Sequence, residues 1–210
     1  MNARELVEQL GQELAEVERA IASHRYLAAP PPAHSLRALA AEQQVILASD
    51  RRAFAQLAAR FPAGATGEFF LDMAHGEGEA LVRLNQLVRS LGLGEAELRE
   101  HRPAAGCQAY TAFVSWLALN GSRADVAVAF IANLSAWGAA CGRLRELLEG
   151  RCDTAFFAYF ATPPPGFAER ALAVADEGLA AGDSPELARR AARLLQAYEL
   201  MFWDTLADGL

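Results

Sequence analysis

Apolar residues recur along this chain at spacings of three and four, the period that stacks side chains on one face of a helix. Leu6, Leu10, Leu14, Val17 and Ile21 predict a first helix over residues 3–23. The run Pro30-Pro31-Pro32 cannot continue it, because proline lacks the backbone donor and its ring clashes with the preceding turn. Ser35 then reads as the cap of a second helix over 35–60 that carries Leu36, Leu39, Ile46, Leu47, Phe54 and Leu57, with Glu42-Gln43-Gln44 as a polar insert. A third, over 66–91, runs through Phe69, Phe70, Met73, Leu81, Leu84 and Leu87 to the stop signal Gly92-Leu93-Gly94. Gly76 and Gly78 inside it predict a kink or a close helix contact. A short helical segment over 95–101, helices over 107–119 and 125–148, an aromatic segment Phe156-Phe157-Ala158-Tyr159-Phe160, and a helix over 166–181 follow. Ser184-Pro185 opens the last helix, which reaches Trp203 or beyond. Val, Ile and Thr are sparse and no alternating run suggests a strand. The pattern predicts an all-α bundle of seven or eight helices, one domain over residues 1–210, without an internal repeat.

Composition narrows the class. With 53% apolar and 21% charged residues the chain has the balance of a packed protein rather than a disordered one. A net charge of -7 opposes binding to nucleic acid, and the basic residues Arg189, Arg190 and Arg193 fall on one solvated helical turn. Roughly 18 uncharged apolar residues in a row would be needed to span a bilayer, and no such run is present. The start, Met-Asn-Ala-Arg-Glu, lacks an apolar leader core, so the expectation is a cytoplasmic protein with no membrane partner. Cys107, Cys141 and Cys152 show neither disulfide nor zinc spacing and read as buried thiols.

In a bundle, ligand sites are built from polar side chains that project inward, so the informative residues are those on apolar faces. Glu199 shares a helical face with Leu195 and Phe202, and a carboxyl placed there must find partners or keep its proton. Gln43 beside Glu42, and Asn133 with Ser135, are similar intrusions, while Tyr110 and Trp137 offer flat walls with a polar handle. Each amide either ties helices together or meets a ligand. No cysteine has a histidine at helical spacing, and no nucleophile elbow or phosphate-binding glycine loop occurs. Asp72, His75, Glu77 and Glu79 look metal-like in spacing, but they spread around the helix and read as a solvated acidic face; no metal site and no cofactor are expected.

With these residues placed, the chain resembles the TenA/THI-4 family, the thiaminase II branch of the heme-oxygenase-like fold, over about residues 24 to 204. The family's closing-helix pattern appears as Tyr198, Glu199, Phe202, Trp203 and Asp204. The Phe69-Phe70 helix with Glu77 or Glu79, the Tyr110 segment ending Asn120-Gly121-Ser122, and the stretch Ile131 to Trp137 fit in order. The resemblance implies that Glu199 is the pocket acid handling protons on an aminopyrimidine and that Tyr110 is a hydrogen-bonding pocket residue. It places the family's second-helix aspartate on Gln43, a pocket tyrosine on Ile46, the nucleophilic cysteine on Asn133 and the tyrosine four residues later on Trp137. An amide cannot attack carbon as a thiolate does, so covalent C–N cleavage is not expected. Members of the fold that use two irons flank a last-helix carboxylate with histidines; here the flanks are Leu195 and Phe202, which cannot coordinate iron. A heme held by His24, near the end of the first helix, is weighed against an exposed loop histidine, and the latter is favoured.

The resulting expectation is a pocket in which Glu199, Gln43, Asn133 and Tyr110 hydrogen-bond a flat nitrogen-bearing ligand between Trp137 and the aromatics Phe157 and Phe160. Glu199 is the candidate catalytic residue if hydrolysis of the thiaminase II type occurs. The alternative is a binding or regulatory homologue that performs no reaction. The resemblance also implies a homo-oligomer.

Overall fold

The computed structural model describes residues 1–209. Nine α-helices are present among them: α1 (Ala3–Ala22), α2 (Ala33–Arg60), α3 (Gly64–Ser90), α4 (Glu95–Glu100), α5 (Ala105–Asn120), α6 (Arg123–Leu148), α7 (Ala155–Ala161), α8 (Phe167–Ala180) and α9 (Pro185–Asp208). A single 3-10 turn, Arg25–Leu27, joins α1 to the proline run. No strand occurs among the described residues. The helix beyond the expected eight is α7. Its aromatic run lacks the length for a periodic pattern, and it folds because Phe156 and Phe157 are buried against neighbouring helices.

The helix starts follow capping chemistry. Asn2 accepts from the Glu5 amide at 2.9 Å while Glu5 accepts from the Asn2 amide at 3.1 Å, and Ser122 with Asp125 repeats the device at the start of α6. Ser184 caps α9, with Pro185 at its first position. The expected cap Ser35 is instead inside α2, which begins two residues earlier. Its hydroxyl is buried, and it donates to the Tyr26 hydroxyl at 3.2 Å.

Burial divides into two apolar clusters at opposite ends of the bundle. One collects Leu6, Leu10 and Leu14 of α1, Phe54 and Leu57 of α2, Phe69 and Phe70 of α3, the first half of α6, the middle of α8 and the first half of α9. The other collects Leu36 to Leu47 of α2, Leu84 to Val88 of α3, the second half of α6, Phe156 and Phe157 of α7, and Phe202, Trp203 and Leu206 of α9. The helices α2, α3, α5, α6 and α9 run through both clusters. Between the clusters, at the middle of these helices, lie Gln43, Asp50, Glu77, Tyr110, Asn133 and Glu199. The central helix α6 is long and apolar enough to cross a membrane, but 67% of that stretch is buried inside the bundle. Its apolar surface is thereby used in packing.

Candidate functional site

The mid-bundle residues surround a cavity of about 140 Å³. Its walls are Ile46, Leu47, Phe69, Met73, Phe130 and Leu134 on the aliphatic and phenyl side, and Trp137, Tyr159, Phe160 and Phe202 on the other. Pro164, Phe167 and Arg170 form a rim where α7 leads into α8, and Arg170 is held there by Asp72 at 2.6 Å. Two close helix approaches shape the walls. At Gly138 a Cβ would meet the Phe160 carbonyl oxygen at 2.9 Å, so glycine lets α7 lean on α6. At Gly76 a Cβ would meet the Tyr159 hydroxyl at 3.1 Å, and that hydroxyl donates to the Gly76 carbonyl.

Glu199 is 2% exposed and faces this cavity. Burial pushes its carboxyl up from 4.5 to about 8, offset in part by the Trp203 indole N–H, which donates to Oε1 at 3.3 Å. Asn133 Nδ2 donates to Oε2 at 2.6 Å, and the Tyr110 hydroxyl donates to Asn133 Oδ1 at 2.8 Å. The three polar residues of α9, α6 and α5 therefore form one chain. An amide fits the same space in either orientation, and the two orientations suit different protonation states of the acid. With the carboxylate ionised, Asn133 donates to it and accepts from Tyr110. With the carboxyl protonated, a turned amide accepts the acid proton and donates to the Tyr110 oxygen, which frees the phenolic hydrogen for the cavity. Asn133 thus couples the proton of Glu199 to the direction of the Tyr110 donor.

The remaining expected residues divide. Gln43 is 3% exposed, lines the cavity and makes no hydrogen bond with the described residues, so its amide is free for a guest. Ile46, Trp137 and Phe160 also line it. Phe157 does not. It is fully buried against Phe156, at 5.3 Å between ring centroids, and Tyr159 stands in the wall instead, because two residues along α7 carry the side chain to the other side of the helix. Glu42, next to Gln43, turns away and accepts from His101 Nε2 at 2.9 Å, the Ala104 amide at 2.8 Å and Gln108 Nε2 at 2.6 Å, which anchors the start of α5. Ser135 is exposed. His24 is not an exposed loop histidine as expected: it is 8% exposed, with Nε2 3.1 Å from Asp204 Oδ1. Its other nitrogen accepts from the Tyr26 amide.

Two acids in the cavity wall escape the sequence reading. Asp50 of α2 is 4% exposed and accepts from the Thr111 hydroxyl; burial pushes it up from 3.8 to about 7. Glu77 of α3 is pushed well above 4.5 by burial and then by Asp50, and its Oε2 is buried without a hydrogen-bond partner. A signal existed for Asp50: it lies four residues from both Ile46 and Phe54 and seven from Gln43 and Leu57, on the face those residues share. In Asp50-Arg51-Arg52 the charged neighbours mask it. Glu77 belongs to the acidic run read as solvated; His75 of that run is exposed and Asp72, also exposed, reaches only the rim through Arg170, whereas Glu77 turns into the cavity wall that Asp50 shares. No cluster of three metal-ligating side chains occurs among the described residues.

The thiols stand apart from this chemistry. Cys107 is pushed up to about 12, first by burial and then by Glu42, and Cys141 is pushed well up by burial and by Glu199. Both are buried outside the cavity lining, and a protonated thiol is not a nucleophile. The cavity offers carboxyls, amides and a phenol, which is equipment for moving protons and binding nitrogen bases.

A family model described as the TENA/THI-4/PQQC family matches residues 12–208. Among solved structures, the chain is similar to a TenA homologue from Pyrococcus furiosus, with a TM-score of 0.76 and 20% identity over 95% of this chain and 98% of that one. A TenA homologue from P. horikoshii OT3 gives a TM-score of 0.79 at 15% identity over 98% and 99% of the two chains. A TenA homologue from Pseudomonas syringae pv. tomato gives 0.81 at 12% identity over 99% and 96%. These likenesses establish the heme-oxygenase-like all-α fold. No curated protein matches the sequence.

Proposed function

The chain belongs to the TENA/THI-4/PQQC family, and from that premise we propose that its cavity binds a small, flat nitrogen heterocycle of the aminopyrimidine kind, with Glu199 exchanging a proton with the ring. The observation that carries this reading is a buried carboxyl, held protonated to about 8 by desolvation, facing an aromatic-walled cavity. A weakly basic ring nitrogen gains a charge-assisted hydrogen bond by taking that proton, and the carboxylate left behind keeps Trp203 and Asn133 as donors. The free amide of Gln43 supplies further in-plane contacts, and Tyr110, whose hydrogen is given to Asn133 in this state, offers its oxygen as an acceptor. Trp137 and Phe160 pack edge to face on each other, their centroids 5.9 Å apart at 75°, so they make one wall against which the guest ring lies rather than two faces that enclose it.

Size restricts the guest. An apolar cavity of about 150 Å³ takes up benzene. At about 140 Å³ this one matches a single substituted six-membered ring, and a two-ring molecule such as thiamin would extend past the rim at Pro164, Phe167 and Arg170.

Covalent catalysis by a cavity thiol is not part of the proposal, since Asn133 occupies the position where the resemblance places the cysteine. Chemistry at this site is acid–base, with water as the only nucleophile, and is slow. The test is incubation with 4-amino-5-aminomethyl-2-methylpyrimidine and with thiamin, followed by thermal melting and mass spectrometry. Stabilisation by the single-ring compound with little product supports the reading, and rapid ammonia release would make the protein a hydrolase. No stabilisation by the single-ring compound, or none that depends on Glu199, contradicts it.

We also propose a cytoplasmic homo-oligomer. Exposed Trp116 (53%), Leu119 (64%) and Met201 (43%) lie on the α5–α9 face, where Trp116 stacks on Phe113 and Phe113 meets Tyr198. Sedimentation of the wild type and of Trp116→Glu tests it: a monomeric wild type refutes the assembly, and a variant that stays assembled refutes this face.

A further inference from the structure

The chain of hydrogen bonds from Tyr110 through Asn133 to Glu199 can do more than hold one ligand. Asn133 is 1% exposed, so its amide meets no bulk water, and its two ends are spent on the phenol and the acid. The Tyr110 hydroxyl is kept protonated, first by burial and then by Asp50, Glu199 and Glu77, so it always has one hydrogen to place. Asn133 decides where. That hydrogen points to Asn133 Oδ1 when Glu199 is ionised, and into the cavity when the amide has turned to accept from the protonated acid.

The two states present different patterns to a guest. With Glu199 ionised, acid and phenol both accept, which suits a ring that carries a proton on nitrogen and an exocyclic amino group. With Glu199 protonated and its hydrogen given to Asn133, Oε1 still accepts while the phenol donates. This pattern suits a ring N–H with an exocyclic carbonyl, a lactam. Against the ionised state the same lactam would set its carbonyl oxygen on the Tyr110 oxygen, two acceptors with no hydrogen between them. A cysteine, the residue that the resemblance places at this position, has no amide to turn and cannot exchange a donor for an acceptor in this way.

We propose that Asn133 is a specificity-determining residue that gives the cavity a second class of ligand, oxo-heterocycles of the pyrimidinone kind bound with Glu199 protonated, beside amino-heterocycles bound with Glu199 ionised. This rests on the ring-binding reading of the cavity, which can stand without it. The titratable and charged groups around the chain are Glu18 of α1, which opposes ionisation of Glu199, Cys141 of α6, Asp50 of α2 and Glu77 of α3, with Arg51 packed on α3 at Gly78. They set the midpoint of the acid in the free protein and are common to both complexes.

The test compares 4-amino-2-methylpyrimidine with 2-methylpyrimidin-4-one, which match in size, by calorimetric titration and by carbon-13 NMR of the Glu199 carboxyl at a pH of about 8, where the acid is half ionised. In wild type the amino compound moves the resonance toward the carboxylate position and the oxo compound moves it toward the carboxyl position. Glu199→Gln keeps the shape and holds Asn133 in the turned orientation, so it weakens the amino compound at least about tenfold and the oxo compound less than about threefold. In Asn133→Leu the Tyr110 hydroxyl no longer answers to the acid, and the oxo compound loses its pull toward the carboxyl; melting curves check that both variants are folded. The wild-type spectra decide the matter without either variant. An oxo compound that fails to bind wild type, that binds with the acid ionised, or that keeps its pull in Asn133→Leu overturns the proposal, as does equal loss of both compounds in Glu199→Gln. Binding of the amino compound then leaves the ring-binding reading standing, and failure of both pyrimidines to bind overturns the two together.

Discussion

Replacing Glu199 by Gln removes the titration and keeps the shape, so it isolates what burial does to this one acid. Its carboxyl stands at about 8 in the folded protein against an ordinary 4.5. Between these values the folded state holds a proton that the unfolded chain has released. Stability contributed by the group is therefore complete below pH 4.5 and is lost as pH rises through about 8, by about 1.4 kcal/mol for each pH unit and about 5 kcal/mol in all. Asp50 and Glu77 slope the same way over their own ranges, but they are present in both proteins and cancel in the comparison. Glutamine is accommodated by turning the Asn133 amide, whose Oδ1 then accepts from the new N–H2 while its Nδ2 donates to the Tyr110 oxygen. The assay is urea unfolding of wild type and Glu199→Gln from pH 4.5 to 9. At the acid end the two agree within about 1–2 kcal/mol, the range expected of one altered buried hydrogen bond. At the alkaline end the variant is the more stable, the gap having opened by about 5 kcal/mol. Parallel curves, with a gap that changes by less than about 1 kcal/mol, would refute the reasoning, because a carboxyl that ionises normally produces no such slope.

Other expectations follow from the same contacts. Tyr110→Phe removes the donor to Asn133 Oδ1 and destabilises by about 1–2 kcal/mol in chemical unfolding, and Glu199→Gln adds less than its own effect on that background because the three residues form one chain. Gly138→Ala forces the Phe160 carbonyl from 2.9 Å and moves α7, a destabilisation of about 1–3 kcal/mol accompanied by weaker binding of any cavity ligand. In the native protein Cys152, which is partly exposed, reacts with a thiol reagent before Cys107 and Cys141, as peptide mapping would show; Asn133→Cys adds a thiol that a bound ring protects.

Much of the fold is written in the spacing of Leu, Ile and Phe, because the outer long helices carry an apolar stripe, the central α6 is apolar on all sides, and capping or proline signals mark the helix starts. What the period missed was α7, whose seven residues give fewer than two turns of pattern. The site was legible where a polar residue interrupts an otherwise apolar face, as at Glu199, Gln43 and Asn133. It was illegible where the inward acid sits among outward charges. Asp50 precedes Arg51 and Arg52, and Glu77 lies between His75 and Glu79, so the local sequence looks solvated while one position in each run faces in. Phe157 shows the converse limit: an aromatic run announces burial, but which ring reaches the cavity depends on where each falls around the short helix.

The proton on Glu199 is the centre of the account, and carbon-13 NMR of glutamate-labelled protein reads it directly, the Glu199 carboxyl resonance being the one absent from Glu199→Gln. The prediction is a midpoint of about 8 in the free protein, and an ionised carboxylate already at neutral pH once an aminopyrimidine occupies the cavity. A midpoint near 4.5, unmoved by the aminopyrimidine, would contradict it.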